Sequence, residues 1–262
     1  TELLDLCMDH VSSRVPIIAT CSHFSTGIAA ARAREAAERG AEMIMMMPPY
    51  HGALLKAGTQ GIMEHFTAVA EAAGVPPGVF QVLCGPGETV GEAMVKDPTA
   101  RLITFTGSVP TGKRISRNAA ENVALVSLEM GGKAPFIVME DCDLDAAVDT
   151  AVFSRFLNCG QICIANERTY LHQSIAEEFT EKFLAGVQQL NLGDPLREDT
   201  RIGPKVSREE LEKVEACVEG ARQAGAEVLA GGSRRTGGQF DRGFWYEPTV
   251  ISSVRQDMDI MQ

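Results

Sequence analysis

The chain has 262 residues, 45% of them hydrophobic, and a formal net charge of −11 at pH 7; that length can bury one large core or two modest ones. The acidic balance and scattered basic residues argue against a nucleic-acid ligand, whose phosphates need clustered Lys and Arg. No apolar run reaches the roughly eighteen residues of a membrane span, and the N-terminus lacks a signal-peptide layout. The odd count of seven cysteines, without the close spacing of a disulfide scaffold, points to reduced thiols and a cytoplasmic location.

In chain order, Val15–Thr20 reads as a strand. Ser25 or Thr26 then caps an alanine-rich helix that Gly40 ends, and Ala41–Met47 reads as a buried strand. Thr59 caps the next helix, with Ile62, Phe66 and Val69 on one face and Gly74 as its stop. The rhythm resumes with "VFQVLCG" as strand, "ETVGEAMVKDP" as helix, "ARLITFTGS" as strand and "TGKRISRNAAEN" as helix. Further strands are expected in "KAPFIVM" and "ERTYLHQ". Amphipathic helices are expected in "DLDAAVDTAVFSRFLN", "SIAEEFTEKFLAGVQQL" and "SREELEKVEACVEGARQAG", and "GGSRRTGGQFDRG" reads as a glycine-rich loop. The fold class is therefore α/β.

Three stretches carry chemistry. In "NCGQICIANER" (158–168), two cysteines lie four apart around Gly160. A thiolate attacks an electrophile, and the N–H groups of a tight glycine turn can stabilise an anion. The bland alternative for Cys163 is a small buried hydrophobe, and two thiols without a nearby His make no zinc site. In "LEMGGKAP", Glu129 is either a solvated turn residue or a general base. In "FTGSVPTGKRI", Gly107 and Gly112 bracket a strand-to-helix turn. Such a helix N-terminus can hold a phosphate or can be an ordinary turn, and the spacing departs from the G-x-G-x-x-G fingerprint.

Taken in this order, the three stretches resemble those of the aldehyde dehydrogenase superfamily. "NCGQICIANER" matches N-x-G-Q-x-C-x-A-x-x-R at every fixed position, with Cys163 the nucleophile and Cys159 at a variable place. The resemblance implies that Glu129 is the base that activates water. It also implies that Gly107, Ser108 and Gly112 belong to the cofactor turn, with Ser108 bonding a phosphate. The implied chemistry is aldehyde oxidation to a carboxylate with NAD (NADP not excluded), through a cysteine thiohemiacetal and thioester. A small aldehyde is the partner, a homo-oligomer is the parent assembly, and there is no metal. The wording is similar to lactaldehyde, glycolaldehyde and semialdehyde dehydrogenases. The resemblance runs from about Val75 to Gln262 and lacks the family's usual N-terminal and C-terminal portions.

Residues 1–74 resemble a different family, the dihydrodipicolinate synthase and N-acetylneuraminate lyase TIM barrels, over about a quarter of such a barrel. Lys56 does not match that family's Schiff-base lysine, so lyase chemistry is not expected. The expected organisation is a barrel fragment (1–74), a partial Rossmann-like cofactor region (75–130) and a partial catalytic domain (131–262), joined as a composite. The N-terminal strands are expected to pack against the segment near Val79–Thr106. The second reading is a non-catalytic composite that lacks parts of both parent sites.

Overall fold

A computed structural model describes residues 2–12, 14–47 and 58–261; Lys56 and the "PPYH" loop lie outside the described residues. The chain divides into two compact units, Thr1–Ile103 with Arg117–Leu125, and Thr104–Ser116 with Val126–Gln262.

The first unit contains α1 (Glu2–Val11), β1 (Ile18–Thr20), α2 (Thr26–Glu38), β2 (Met43–Met45) and α3 (Gly58–Ala72). Strands β1 and β2 pair in parallel, Ala19 opposite Ile44, with α2 as the connection. Ala29, Ala33 and Ala36 recur at helical spacing and pack with Cys21 and Val69, because small side chains let helix and strands approach closely. Gly40 follows α2 at φ +88° and Gly74 follows α3 at φ +76°, the left-handed geometry that ends a helix. Thr59 lies inside α3, which starts at Gly58, and so does not cap it.

Two expectations fail here for one reason. The strands expected at Val15–Thr20 and Ala41–Met47 shrink to three residues each, and "VFQVLCG" forms only a single bridge between Pro77 and Phe80. A ladder extends only where a neighbour supplies N–H and C=O partners. Among the described residues β1 pairs with β2 alone, so the expected sheet with Val79–Thr106 does not form. What meets that segment is a ring contact, Phe66 to Phe80 at 6.2 Å.

One π turn (Gly87–Gly91) leads into α4 (Glu92–Lys96). Next come β3 (Leu102–Gly107), α5 (Val109–Ala120) and β4 (Leu125–Met130), with β3 and β4 paired. The second unit then adds β5 (Ala134–Val138), α6 (Leu144–Phe156), β6 (Asn166–Leu171), α7 (Ala176–Gln188), α8 (Arg208–Gln223), β7 (Glu227–Ala230) and β8 (Val250–Ser252). Strands β5 and β6 pair in parallel, Phe136 opposite Thr169. Helices α6 and α7 cover them through Val148, Ala151 and Phe179, which pack with Val138. Asp143 caps α6 by accepting the Ala146 N–H at 3.1 Å, and Ser207 caps α8 through Glu210 N–H at 3.3 Å, each worth about 1 kcal/mol. Strands β7 and β8 pair antiparallel beside a core of Leu211, Val218 and Tyr246. Among the described residues, no helix is long and apolar enough to cross a membrane.

Candidate active site

The β3–α5 turn places Gly107 at the strand end and Ser108 ahead of the helix. Ser108 Oγ accepts the Thr111 N–H at 3.4 Å and lies 2.9 Å from Thr111 Oγ1, so Ser108 serves as the helix cap. When Thr111 donates its hydroxyl proton to Ser108, the proton of Ser108 is free for a ligand. Pro110 carries no N–H and that of Thr111 is taken by the cap. The first turn therefore offers an anion the Ser108 hydroxyl, the Val109 N–H and the positive helix end. A Cβ at Gly112 would lie 2.6 Å from Met130 Sδ, so Gly112 lets α5 pack closely onto β4. At Gly107 a Cβ would collide with the Phe105 ring.

Glu129 is the penultimate residue of β4, solvent-exposed, and is followed by Gly131 and Gly132. A side chain at Gly132 would begin 3.9 Å from the carbonyl oxygen of Cys163, so the glutamate segment and the cysteine segment meet. Two contacts hold the junction: Lys133 Nζ to Glu167 Oε2 at 2.7 Å, and Arg168 Nε donating to the Lys133 carbonyl at 2.8 Å.

The cysteine segment leaves α6 through three successive left-handed residues, Asn158 at φ 51°, Cys159 at φ 60° and Gly160 at φ 72°. For the two that carry a Cβ this costs about 1–2 kcal/mol each, less for Asn, whose short amide bonds locally. Only glycine fits at 160, since a Cβ would lie 2.6 Å from Arg155 Nη2 and 3.1 Å from the Arg155 carbonyl. The chain then makes a tight turn, Ala165 N–H to Ile162 O at 3.1 Å, before entering β6. Buried Asn166 ties the exit to α6, accepting from Ser154 Oγ at 2.8 Å.

This geometry separates the two thiols. Cys163 is exposed on the turn, whereas Cys159 is half-buried and lies 3.2 Å from the Gly203 carbonyl, to which its thiol donates. Burial pushes the Cys159 thiol up, against smaller opposing pulls from the Gly203 backbone and the Lys205 charge. Cys163 precedes strand β6, so its availability rests on exposure and the turn. Among the described residues, no group of three His, Cys, Asp or Glu side chains could hold a metal.

Sequence reasoning missed the residues that support the turn, Arg155, Gly203 and Lys205. Arg155 is half-buried, 3.8 Å from Glu167, and its guanidinium is pulled down by desolvation, which the Glu167 charge opposes. Lys205 Nζ donates to the Cys159 carbonyl at 2.8 Å; burial pulls this ammonium down, chiefly opposed by Cys159. The Gly-Pro-Lys string marks a turn, but nothing local in it signals a partner 46 residues earlier.

Fold and site together define an α/β protein with an exposed thiol on a turn that follows a glycine-dependent left-handed run. The aldehyde dehydrogenase family model matches residues 56–262, and the chain belongs to that family. The match begins ahead of the seam expected at Val75. The chain is 46% identical over 193 residues to 3,6-anhydro-alpha-L-galactose dehydrogenase of Vibrio sp. (strain EJY3), covering 74% of this chain and 40% of the relative. It is 40% identical over 197 residues to lactaldehyde dehydrogenase of Escherichia coli (strain K12), covering 75% and 40%. A solved 3,6-anhydro-L-galactose dehydrogenase in complex with NAP superposes with a TM-score of 0.74 at 38% identity, covering 94% of this chain and 50% of that one. The chain thus spans about two fifths of the length of these curated relatives. The 94% coverage takes in much of residues 1–74 as well. A parallel strand-helix-strand unit is common to barrels and open α/β sheets, which is why its sequence pattern resembles both.

Proposed function

We propose that the site oxidises a small aldehyde to a carboxylate, with Cys163 as nucleophile and Glu129 as general base. The observation that carries the reading is the split between the thiols: the turn presents Cys163 to solvent while it buries and bonds Cys159. The Cys163 thiolate adds to the aldehyde carbon, giving a thiohemiacetal bound to the enzyme. A nicotinamide cofactor held at the Ser108 turn would supply the hydride acceptor for that carbon. Glu129, on the segment that meets the Cys163 backbone, then takes a proton from water. The resulting attack on the thioester releases the carboxylate and returns the thiol.

Ser108, with the Val109 N–H and the α5 N-terminus, would hold a cofactor phosphate, and the donors of the turn suit one. Gly107 shapes that turn, and Gly112 serves it indirectly by seating α5 against β4. NAD is the expected cofactor and NADP the alternative, the latter favoured by the solved relative's complex with NAP. A short hydroxyaldehyde is the substrate class to test first, suggested by the name of the lactaldehyde relative. The same reading carries the division at 1–74, 75–130 and 131–262, a cytoplasmic location, a homo-oligomeric parent, and no nucleic-acid or membrane partner.

A second reading has its own observation. Strands β3 and β4 pair only with each other among the described residues, and Leu102 and Leu125 are 61% and 70% exposed. A non-catalytic composite, with residues 1–74 of barrel origin as the parallel β1–α2–β2 unit suggests, accounts for such uncovered strands. Incubation with NAD or NADP and lactaldehyde, following absorbance of the reduced cofactor, separates the two. Turnover that Cys163→Ala abolishes and Cys159→Ala largely retains supports the oxidation; no turnover with either cofactor supports the composite.

A further inference from the structure

A run of three left-handed residues persists only where its surroundings over-determine it. Within the turn, Asn158 and Gln161 bond each other: Gln161 N–H reaches the Asn158 carbonyl at 3.1 Å, and Asn158 Nδ2 the Gln161 carbonyl at 3.3 Å. Arg155 packs against Gly160, and three further restraints come from one distant segment, 203–206. The Gly203 carbonyl takes the Cys159 thiol at 3.2 Å, Lys205 Nζ takes the Cys159 carbonyl at 2.8 Å, and the Val206 N–H takes Gln161 Oε1 at 2.9 Å. That segment is itself anchored, because the Lys205 N–H donates to the Phe244 carbonyl at 2.8 Å.

Lys205 is the member with the most to explain. Its half-buried side chain lines a cavity of about 90 Å³ that Arg155, Cys159, Tyr246 and Glu247 also line. A loop lysine normally keeps its ammonium in water, and this one sits near a second cation, Arg155. Withdrawing the charge is unfavourable unless a fixed acceptor replaces the lost water, and the acceptor in place is the carbonyl at the centre of the left-handed run.

We propose that Lys205 is a positioning residue for Cys163: bonded to the Cys159 carbonyl, it locks the 158–160 turn and so fixes the backbone that presents the nucleophile. The proposal rests on the reading of Cys163 as nucleophile but predicts its own signature. Cys159 is covered only while the turn is closed, so loosening the clamp uncovers it.

The test is limited iodoacetamide labelling of the full chain, with peptide mass mapping of Cys159 against Cys163. Cys142 and Cys217, both exposed, serve as internal references. In the wild type Cys163 labels faster than Cys159. Lys205→Met, which keeps the stem and removes the charge, should raise Cys159 labelling by about tenfold, as expected for loss of one charge-assisted bond. Lys205→Arg, which restores a donor, should bring it back toward wild type, a rescue that filler volume alone would not give. If Lys205→Met unfolds on a melting curve, Lys205→Gln against Lys205→Arg provides the same comparison. Unchanged Cys159 protection in the folded Met or Gln variant, or equal exposure in the Arg variant, overturns the proposal. If Cys159 responds but Cys163 takes no acyl group from an activated ester, the clamp stands and the nucleophile reading fails.

Discussion

Replacing Gly160 with alanine tests the turn at its tightest point. Two costs add. The first is the left-handed φ of 72°, which a Cβ makes unfavourable by about 1 kcal/mol. The second is steric: the Cβ would lie 3.1 Å from the Arg155 carbonyl and 2.6 Å from Arg155 Nη2. The guanidinium can swing away, though it then weakens its pairing with Glu167; the carbonyl is backbone and must carry α6 with it. Overpacking of that kind costs about 1–3 kcal/mol, so the total is about 2–4 kcal/mol. Gly225→Ala is the control, since Gly225 has φ 94° with nothing within 4 Å of a Cβ and isolates the conformational cost. At roughly 2–4 °C per kcal/mol, Gly160→Ala should melt about 5 °C below Gly225→Ala. Because a shift of about 1 Å at a reacting group can cost about 10²-fold, Cys163-dependent activity should fall in Gly160→Ala alone. Equal melting of the two variants, with thiol reactivity unchanged, would refute the claim that Arg155 and the glycine together set the turn.

Three further outcomes follow from the same geometry. Glu129→Gln should leave acylation and hydride transfer intact while slowing deacylation, so stopped-flow absorbance should show a burst of reduced cofactor and a weak steady state; loss of the burst would place Glu129 in thiol activation instead. Ser108→Asp keeps a capping oxygen but adds charge where a phosphate is proposed to bind. It should therefore hold the melting temperature within about 2 °C and weaken NAD(P) binding in a fluorescence titration by about tenfold or more; unchanged affinity would remove the turn from the cofactor site. His65 is fully buried, its Nδ1 is 2.8 Å from Thr26 Oγ1, and its Nε2 has no partner among the described residues. Burial lowers its folded value below the ordinary 6.5, so the unfolded chain binds the proton first. The stability that neutral His65 confers on the first unit is present above 6.5 and is lost as pH falls through that value toward the folded one. Urea midpoints at about pH 7.5 and pH 5.5 should differ in that direction, and a flat profile would contradict it.

What could be read in advance depended on how far each residue's partner lay along the chain. Asp143 and Ser207 announce their helices because a cap bonds a group three residues on, and Gly40 and Gly74 mark helix ends through a local φ. Gly160 stood out as a turn glycine, and Cys163 through the resemblance of "NCGQICIANER" to the aldehyde dehydrogenase segment. The strand lengths were not readable: Val15–Thr20 and Val79–Gly85 have the right side chains, but a strand exists only if a partner arrives. Strands β7 and β8 went unread for the converse reason, being short and defined by their partners; β4 went unread as well. The close packing of Gly112 against Met130 was not readable, because the sequence shows a missing side chain without showing which neighbour lies beside it. Lys205 was invisible for a similar reason, since its acceptor is a main-chain carbonyl and carries no residue type to match.

The claim that the turn makes Cys163 the nucleophile can be tested without any cofactor, by exposing the chain to p-nitrophenyl acetate and mapping the acetyl group by mass spectrometry. Attack by the thiolate releases nitrophenolate and leaves an acetyl thioester. The account predicts a nitrophenolate burst with the acetyl group on Cys163, ahead of the exposed Cys142 and Cys217 and absent from Cys159. Acetyl spread equally over the exposed cysteines, or a burst that survives Cys163→Ala, would contradict it.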